Sequence, residues 1–242
     1  MLAQFVLFDG FDPLDVIAPY EVFSAAGNFT DQVRVELVSA EGTREVPSGI
    51  PGVSLTAAAP LDPSRADLIV VPGAAGTLPA GTDDPAGGPS GATIPVLIGN
   101  SLTTELPGLL AKALATPGTT VATVCGGSLV LAMAGLIKGR NAMTHHQGVD
   151  LLARNGVTVV RARVVDDGDL VTAGGVTSGL DLALHLLDRE IGPKIALAVE
   201  HLFAHERRGV VWRDQGAVPQ PSPFDTAQGA AAGMSSSASA SA

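Results

Sequence analysis

Cysteine is nearly missing from this chain of 242 residues, and so are two of the three aromatic types: there is one Cys, one Trp and one Tyr. A lone cysteine excludes an intramolecular disulfide and every zinc site built from several thiolates, which suits a reducing cytosol. Basic residues are also scarce, 14 Lys and Arg against 24 Asp and Glu, giving a formal charge of −10. That charge repels phosphate backbones and no basic stripe offsets it, so nucleic acid is not an expected partner. No apolar run approaches the length of a membrane span. The opening "MLAQFVLFDGFD" has no basic leader, and Asp9 and Gly10 interrupt its apolar run, so it reads as a first strand. A cytoplasmic protein without membrane contact is expected.

What is present is apolar bulk: 46% hydrophobic residues, enough for one large α/β core. Four β-rich runs recur, at residues 3–8, 33–38, 67–71 and 119–124, with helical patterns between them. This alternation predicts a flavodoxin-like, doubly wound, mostly parallel sheet with helices on both faces. Asp12 followed by Pro13 predicts an N-cap for a helix through "LDVIAPYEVFSAA" that stops at Gly27. Further on, "VTVVRARVV" and "DLVTA", joined by Asp167 and Gly168, read as a hairpin. Two helices follow, "SGLDLALHLLDRE" and "PKIALAVEHLFAHERR", the second ending on Arg207 and Arg208. One domain over residues 1–215 is expected. The Gly- and Pro-rich stretch from Gly76 to Gly91 predicts a long irregular loop, reaching to about residue 100. The Ala, Gly, Ser and Pro of residues 216–242 bring too little apolar surface to offset ordering, and predict a disordered tail.

The only cysteine stands where chemistry can use it. In "TVATVCGGSLVLAMAGLIKGR", residues 120–124 are β-formers, Gly126 and Gly127 a turn, and Ser128 to Ala134 a helix. Cys125 therefore falls on a strand-to-helix corner, where free backbone amides favour a thiolate titrating below free cysteine. Ligands of open α/β sheets bind outside the carboxyl ends of the strands. The segments "DGFDPLDVIAPYE", "VPGAAG" and "TAGGVTSGLD" lead from strand ends to that same edge. A thiol, a carboxyl and free amides are the parts thiol catalysis needs. Each residue also has a plainer reading: Cys125 as a small buried hydrophobe, Asp15 as a first-turn acid, Asp181 as another. Glu21 could face the pocket or solvent. His145 and His146, adjacent in an extended segment, would point to opposite faces, and no metal is expected. His185 and His201 fit helix packing, and His205 a helix end.

Together "LDVIAPYEVF", "VPGAAG", "VCGGSLVLAMAGLIKGRNAMTHH" and "VTAGGVTSGLDLALHLLDRE" resemble, in order, the ThiJ/PfpI superfamily, whose fold is glutamine amidotransferase-like. Within it the pattern is most similar to the branch of isocyanide hydratases and of the sensor domains of AraC-type regulators. The resemblance implies Cys125 as nucleophile, Asp15 as the carboxyl that bonds its sulfur, and His145 as the histidine near the pocket. It places Gly73, Ala74, Gly126 and Asp181 at the oxyanion or substrate site. It implies no cofactor, a small electrophilic substrate and a homodimer. Isocyanide hydration is the leading reaction, with glyoxalase-like or hydrolase chemistry on a small carbonyl compound, or a non-catalytic ligand- or redox-sensing module, as alternatives. Gly126 departs from the branch, which carries Thr or Ser after the cysteine. Loss of that hydroxyl and a pocket widened beside the sulfur imply weak isocyanide hydration and better turnover of a bulkier electrophile.

Overall fold

The computed structural model describes residues 1–77 and 92–218. In chain order the elements are β1 (Leu2–Leu7), α1 (Pro13–Ala26), β2 (Arg34–Ser39), β3 (Arg44–Pro47), β4 (Ser54–Ala57), β5 (Ala59–Pro60) and β6 (Leu68–Val71). Then come α2 (Ile94–Ser101), α3 (Leu106–Ala115), β7 (Thr120–Val124), α4 (Gly127–Met133), β8 (Asn141–Ala142), a 3-10 turn (His146–Gly148) and α5 (Val149–Arg154). The chain closes through β9 (Thr158–Val159), β10 (Val164–Asp166), β11 (Leu170–Ala173), α6 (Ser178–Glu190), α7 (Pro193–Phe203) and β12 (Trp212–Arg213).

Eight strands form the central sheet in the order β12-β10-β11-β7-β6-β1-β2-β5. All neighbours are parallel except β10 and β11. β1, β6 and β11 are buried along their whole length, as strands covered on both faces must be. From β1 the chain moves to β2 in one direction, and from β6 to β7 in the other. Right-handed crossovers then put α1 and α3 on opposite faces. Consistently, α1, α6 and α7 pack together, while α2, α3 and α5 gather around α4. The direction reverses between β1 and β6, where such sheets open a crevice at the carboxyl ends of their strands.

Local chemistry sets the elements that frame this crevice. Asp12 is extended at the N-cap of α1 and accepts from Leu14 N, with Pro13 behind it. The scarce aromatics gather beneath, Tyr20 and Phe23 edge-on to Phe5 with centroids 5.3 and 6.0 Å away. Glycine is demanded where β6 and β7 deliver their loops. A Cβ on Gly127 would stand 2.1 Å from Val71 O, and one on Gly73 2.6 Å from Gly126 N, so the turn after β6 can nest against the start of α4 only without side chains.

Several expectations are corrected. "VTVVRARVV" is not one strand: residues 158–159 pair in parallel with β8 in a separate small sheet, and only residues 164–166 form the hairpin with β11. The last long helix ends at Phe203, where left-handed Ala204 caps it. Arg207 and Arg208 thus lie beyond the helix. Residues 94–101 are helical and do not extend the loop. The remainder of that loop, residues 78–91, and the tail from residue 219 lie outside the described residues. The β3–β4 hairpin and edge strand β12 had no forecast, and α3 only the general one of a helix between the third and fourth runs.

Candidate active site

Cys125 sits between the last residue of β7 and the start of α4 with φ +54°, a left-handed conformation that side chains rarely adopt. Its backbone is held on both sides: N–H donates to Ala173 O at 3.0 Å, and its carbonyl accepts from Thr144 Oγ1 at 2.8 Å. These bonds come from β11 and from the segment before the 3-10 turn, so the strained corner is fixed by its neighbours. The Gly126 amide acts on the sulfur to lower its pKa.

Asp15, wholly buried in the first turn of α1, points at the same corner. Its Oδ2 accepts from Gly73 N at 2.9 Å. Oδ1 has no hydrogen-bond partner of good geometry, yet the carboxyl and the Cys125 thiol are coupled, each shifting the other's titration. Burial, reinforced by the nearby Asp12 carboxyl and opposed by the Gly73 amide and the thiol, pushes Asp15 up to about 8. Burial and then the Asp15 charge push the Cys125 thiol up as well, and the Gly126 amide offsets only part of this. The expected thiolate below free cysteine is therefore corrected. Amides at the corner lose to desolvation and to a facing acid, and the pair holds its protons together at neutral pH.

Gly73 is used differently from the expectation. Its N–H serves Asp15, and its carbonyl accepts from Asp12 N at 2.9 Å. Ala74, by contrast, is buried, and its N–H has no acceptor among the described residues. That N–H lies 3.8 Å from the place a Gly126 Cβ would take. Gly126 has φ −67°, so its conformation would admit a side chain, but Gly73 Cα and Ile98 Cδ1 stand only 3.3 and 3.4 Å from that Cβ position. The space that glycine was expected to open is bounded on one side by Ile98.

The remaining candidates are dispersed. His145 begins the 3-10 turn, accepts weakly from Gln147 N at 3.4 Å, and bonds neither Cys125 nor Asp15. Burial and the adjacent His146 hold its pKa down. The two imidazoles do not diverge as an extended segment would make them; their centroids are 4.1 Å apart because the backbone turns there. Asp181, on α6, accepts at Oδ2 from Arg163 Nε at 2.6 Å and at Oδ1 from Arg208 N at 2.7 Å, with His205 Nε2 3.3 Å from Oδ1. Its oxygens anchor the segment after α7 instead of meeting Cys125. Glu21 and His201 are exposed, whereas His185 is buried against Asp166 at 2.8 Å. No group of three or more metal-ligating side chains lies among the described residues. No helix there is long and apolar enough to cross a membrane. Sequence reasoning missed Asp12, Thr144 and Ile98. Asp12 announced itself only as a helix cap, Thr144 was overshadowed by the histidines after it, and nothing local links residue 98 to residue 126.

An α/β sheet with a cysteine on the corner after β7 and a buried acid after β1 defines the class, and comparison with known proteins agrees. The chain belongs to the DJ-1/PfpI family, whose model matches residues 99–189. It is 32% identical over 197 residues to the isonitrile hydratase of Pseudomonas putida, covering 81% of this chain and 75% of that one. It is 28% identical over 203 residues to an HTH-type transcriptional regulator of Pseudomonas aeruginosa, covering 82% of this chain and 53% of the regulator. A ThiJ/PfpI family protein from Pseudomonas syringae has the same fold, with TM-score 0.69 and 22% identity over 96% of this chain and 86% of that chain.

Proposed function

We propose that the protein is a cytoplasmic, homodimeric enzyme that adds water to a small carbon electrophile through Cys125, with an isonitrile as the substrate class, by its likeness to the isonitrile hydratase. The pairing of buried Asp15 with partly buried Cys125 at the carboxyl edge of the sheet carries this reading. A thiol that keeps its proton suits an isonitrile, whose terminal carbon must gain both a nucleophile and a proton. As sulfur attacks that carbon, the proton of the pair passes through Asp15 to the same carbon and leaves a thioimidate. Water adds to the thioimidate carbon, its protons going to nitrogen and, by way of Asp15, back to sulfur as the C–S bond breaks. The products are an N-substituted formamide and free thiol. Ala74 and Gly126 amides stabilise charge on the reacting centre. A screen of isonitriles, 2-oxoaldehydes and activated esters against native protein and Cys125→Ser tests this. Formamide release that vanishes in Cys125→Ser is expected; turnover unaffected by that change would overturn it.

The match to a transcriptional regulator over 82% of this chain favours one other reading, a ligand-sensing module of the same fold. Saturable ligand binding without turnover across the screen would decide for it.

A further inference from the structure

Helix α2 lies across the carboxyl edge of the sheet and reaches three loops with two consecutive side chains. Leu97 covers Gly10, after β1, where a Cβ would meet its Cδ2 at 2.6 Å, and stands 3.1 Å from the Cβ position of Gly76, after β6. Ile98 is 1% exposed and stands over Gly126, after β7. Gly73 Cα, Ala74 N and Ile98 Cδ1 together bound the space beside Gly126. Of these only Ile98 is a side chain, and hence the only one whose size can vary without moving the backbone that holds the corner.

We propose that Ile98 is the size-selecting residue of the Cys125 site: its terminal methyl closes the space beside Gly126 and limits the substituent an electrophile can carry. The inference rests on Cys125 being the reacting group, and adds which residue sets the substrate's bulk. An aliphatic wall discriminates by volume, and each methylene gained or lost in such a wall changes selectivity by about tenfold or more. Val96, on the same helix, is 52% exposed and supplies a control that shares the element but not the wall.

The test measures alkylation of Cys125 at fixed pH by iodoacetamide and by N-benzyl iodoacetamide in native, Ile98→Ala, Ile98→Phe and Val96→Ala protein. Ile98→Ala is expected to raise the benzyl-to-plain rate ratio by about tenfold, Ile98→Phe to lower it, and Val96→Ala to leave it unchanged. An unchanged ratio in Ile98→Ala, or equal acceleration of both reagents, overturns the proposal, the second because it marks general loosening. If Ile98→Ala does not fold, Ile98→Val carries the test with a smaller change of the same sign. Alkylation reads access without turnover. A shifted ratio in a protein inactive on every isonitrile supports the size filter and removes the hydratase reading; an unshifted ratio in an active hydratase does the reverse.

Discussion

At Cys125 the chain accepts an unfavourable backbone to present one sulfur. A left-handed alanine costs on the order of 1 kcal/mol relative to glycine, less the entropy that glycine itself loses on folding. Cys125→Gly is therefore expected to melt above Cys125→Ala by roughly 2 °C, although both remove the thiol. Equal melting temperatures would show that the corner is unstrained. The sulfur's titration is raised first by burial and then by Asp15. Because the carboxylate charge helps hold the thiol up, Asp15→Asn should move the pH profile of iodoacetamide alkylation to lower pH. A profile that stays in place would separate the two groups. Turnover should fall at least about tenfold in the same variant, since the amide cannot carry the proton. The sequence made both residues legible, as a thiol on a corner and an acid in a first turn, but it misjudged the sign of the thiol shift. Free amides at a helix start are a local signal; the burial and the facing acid that outweigh them exist only once α1 and β7 are brought together.

Elements were legible where their boundaries are written in neighbouring residues. The cap Asp12 with Pro13 fixed α1, and "SGLDLALHLLDRE" is α6 to the residue. Boundaries set by distant partners were not. The run at 157–165 splits because Thr158 and Val159 find partners at Asn141 and Ala142. Beyond Phe203, Arg207 turns to Asp188 and Glu200 and leaves the helix behind. Glycines follow the same division. Gly108, within α3, has nothing within 4 Å of its Cβ position, whereas a Cβ on Gly127 would strike the Val71 carbonyl. Gly108→Ala should stabilise the protein by roughly 0.5 to 1 kcal/mol through helix propensity. Gly127→Ala should destabilise it by on the order of 3 kcal/mol, because backbone must move. Denaturant melts of the two variants check the pair. A tolerated Gly127→Ala would mean that the β6 and β7 loops are not nested as described.

For the whole molecule, two buried carboxyls on opposite sides of the fold impose opposite pH dependences. Asp15 is raised to about 8 when folded, so between its ordinary value near 4 and about 8 the folded protein holds a proton that the unfolded chain has lost. Raising pH across that window weakens the fold, by at most about 1.4 kcal/mol per pH unit. Asp166 behaves in reverse. Burial would raise it, but His185, the Gly168 amide and Arg189 hold it well below the carboxylate range, with Arg213 also at 3.3 Å. Its stabilisation is complete above about pH 4 and is lost as pH falls further, when the unfolded chain takes up the proton first. The network ties β10 to α6 and β12 through one carboxylate, so the acid limb of stability should report that side of the sheet. Asp15→Asn is expected to flatten the melting temperature between pH 5 and pH 8, closing the gap to its own acid value, while leaving the limb below pH 4 unchanged. Asp166→Asn is expected to lower the melting temperature at neutral pH and to narrow that deficit as pH falls below 4. Melting curves of the three proteins from pH 3 to pH 9 separate the limbs. If Asp15→Asn and native protein lose stability in parallel from pH 5 to pH 8, the acid beside Cys125 is ionised throughout, and the proton that the thiol addition requires is the thiol's own, taken up and relayed by the Asp15 carboxylate.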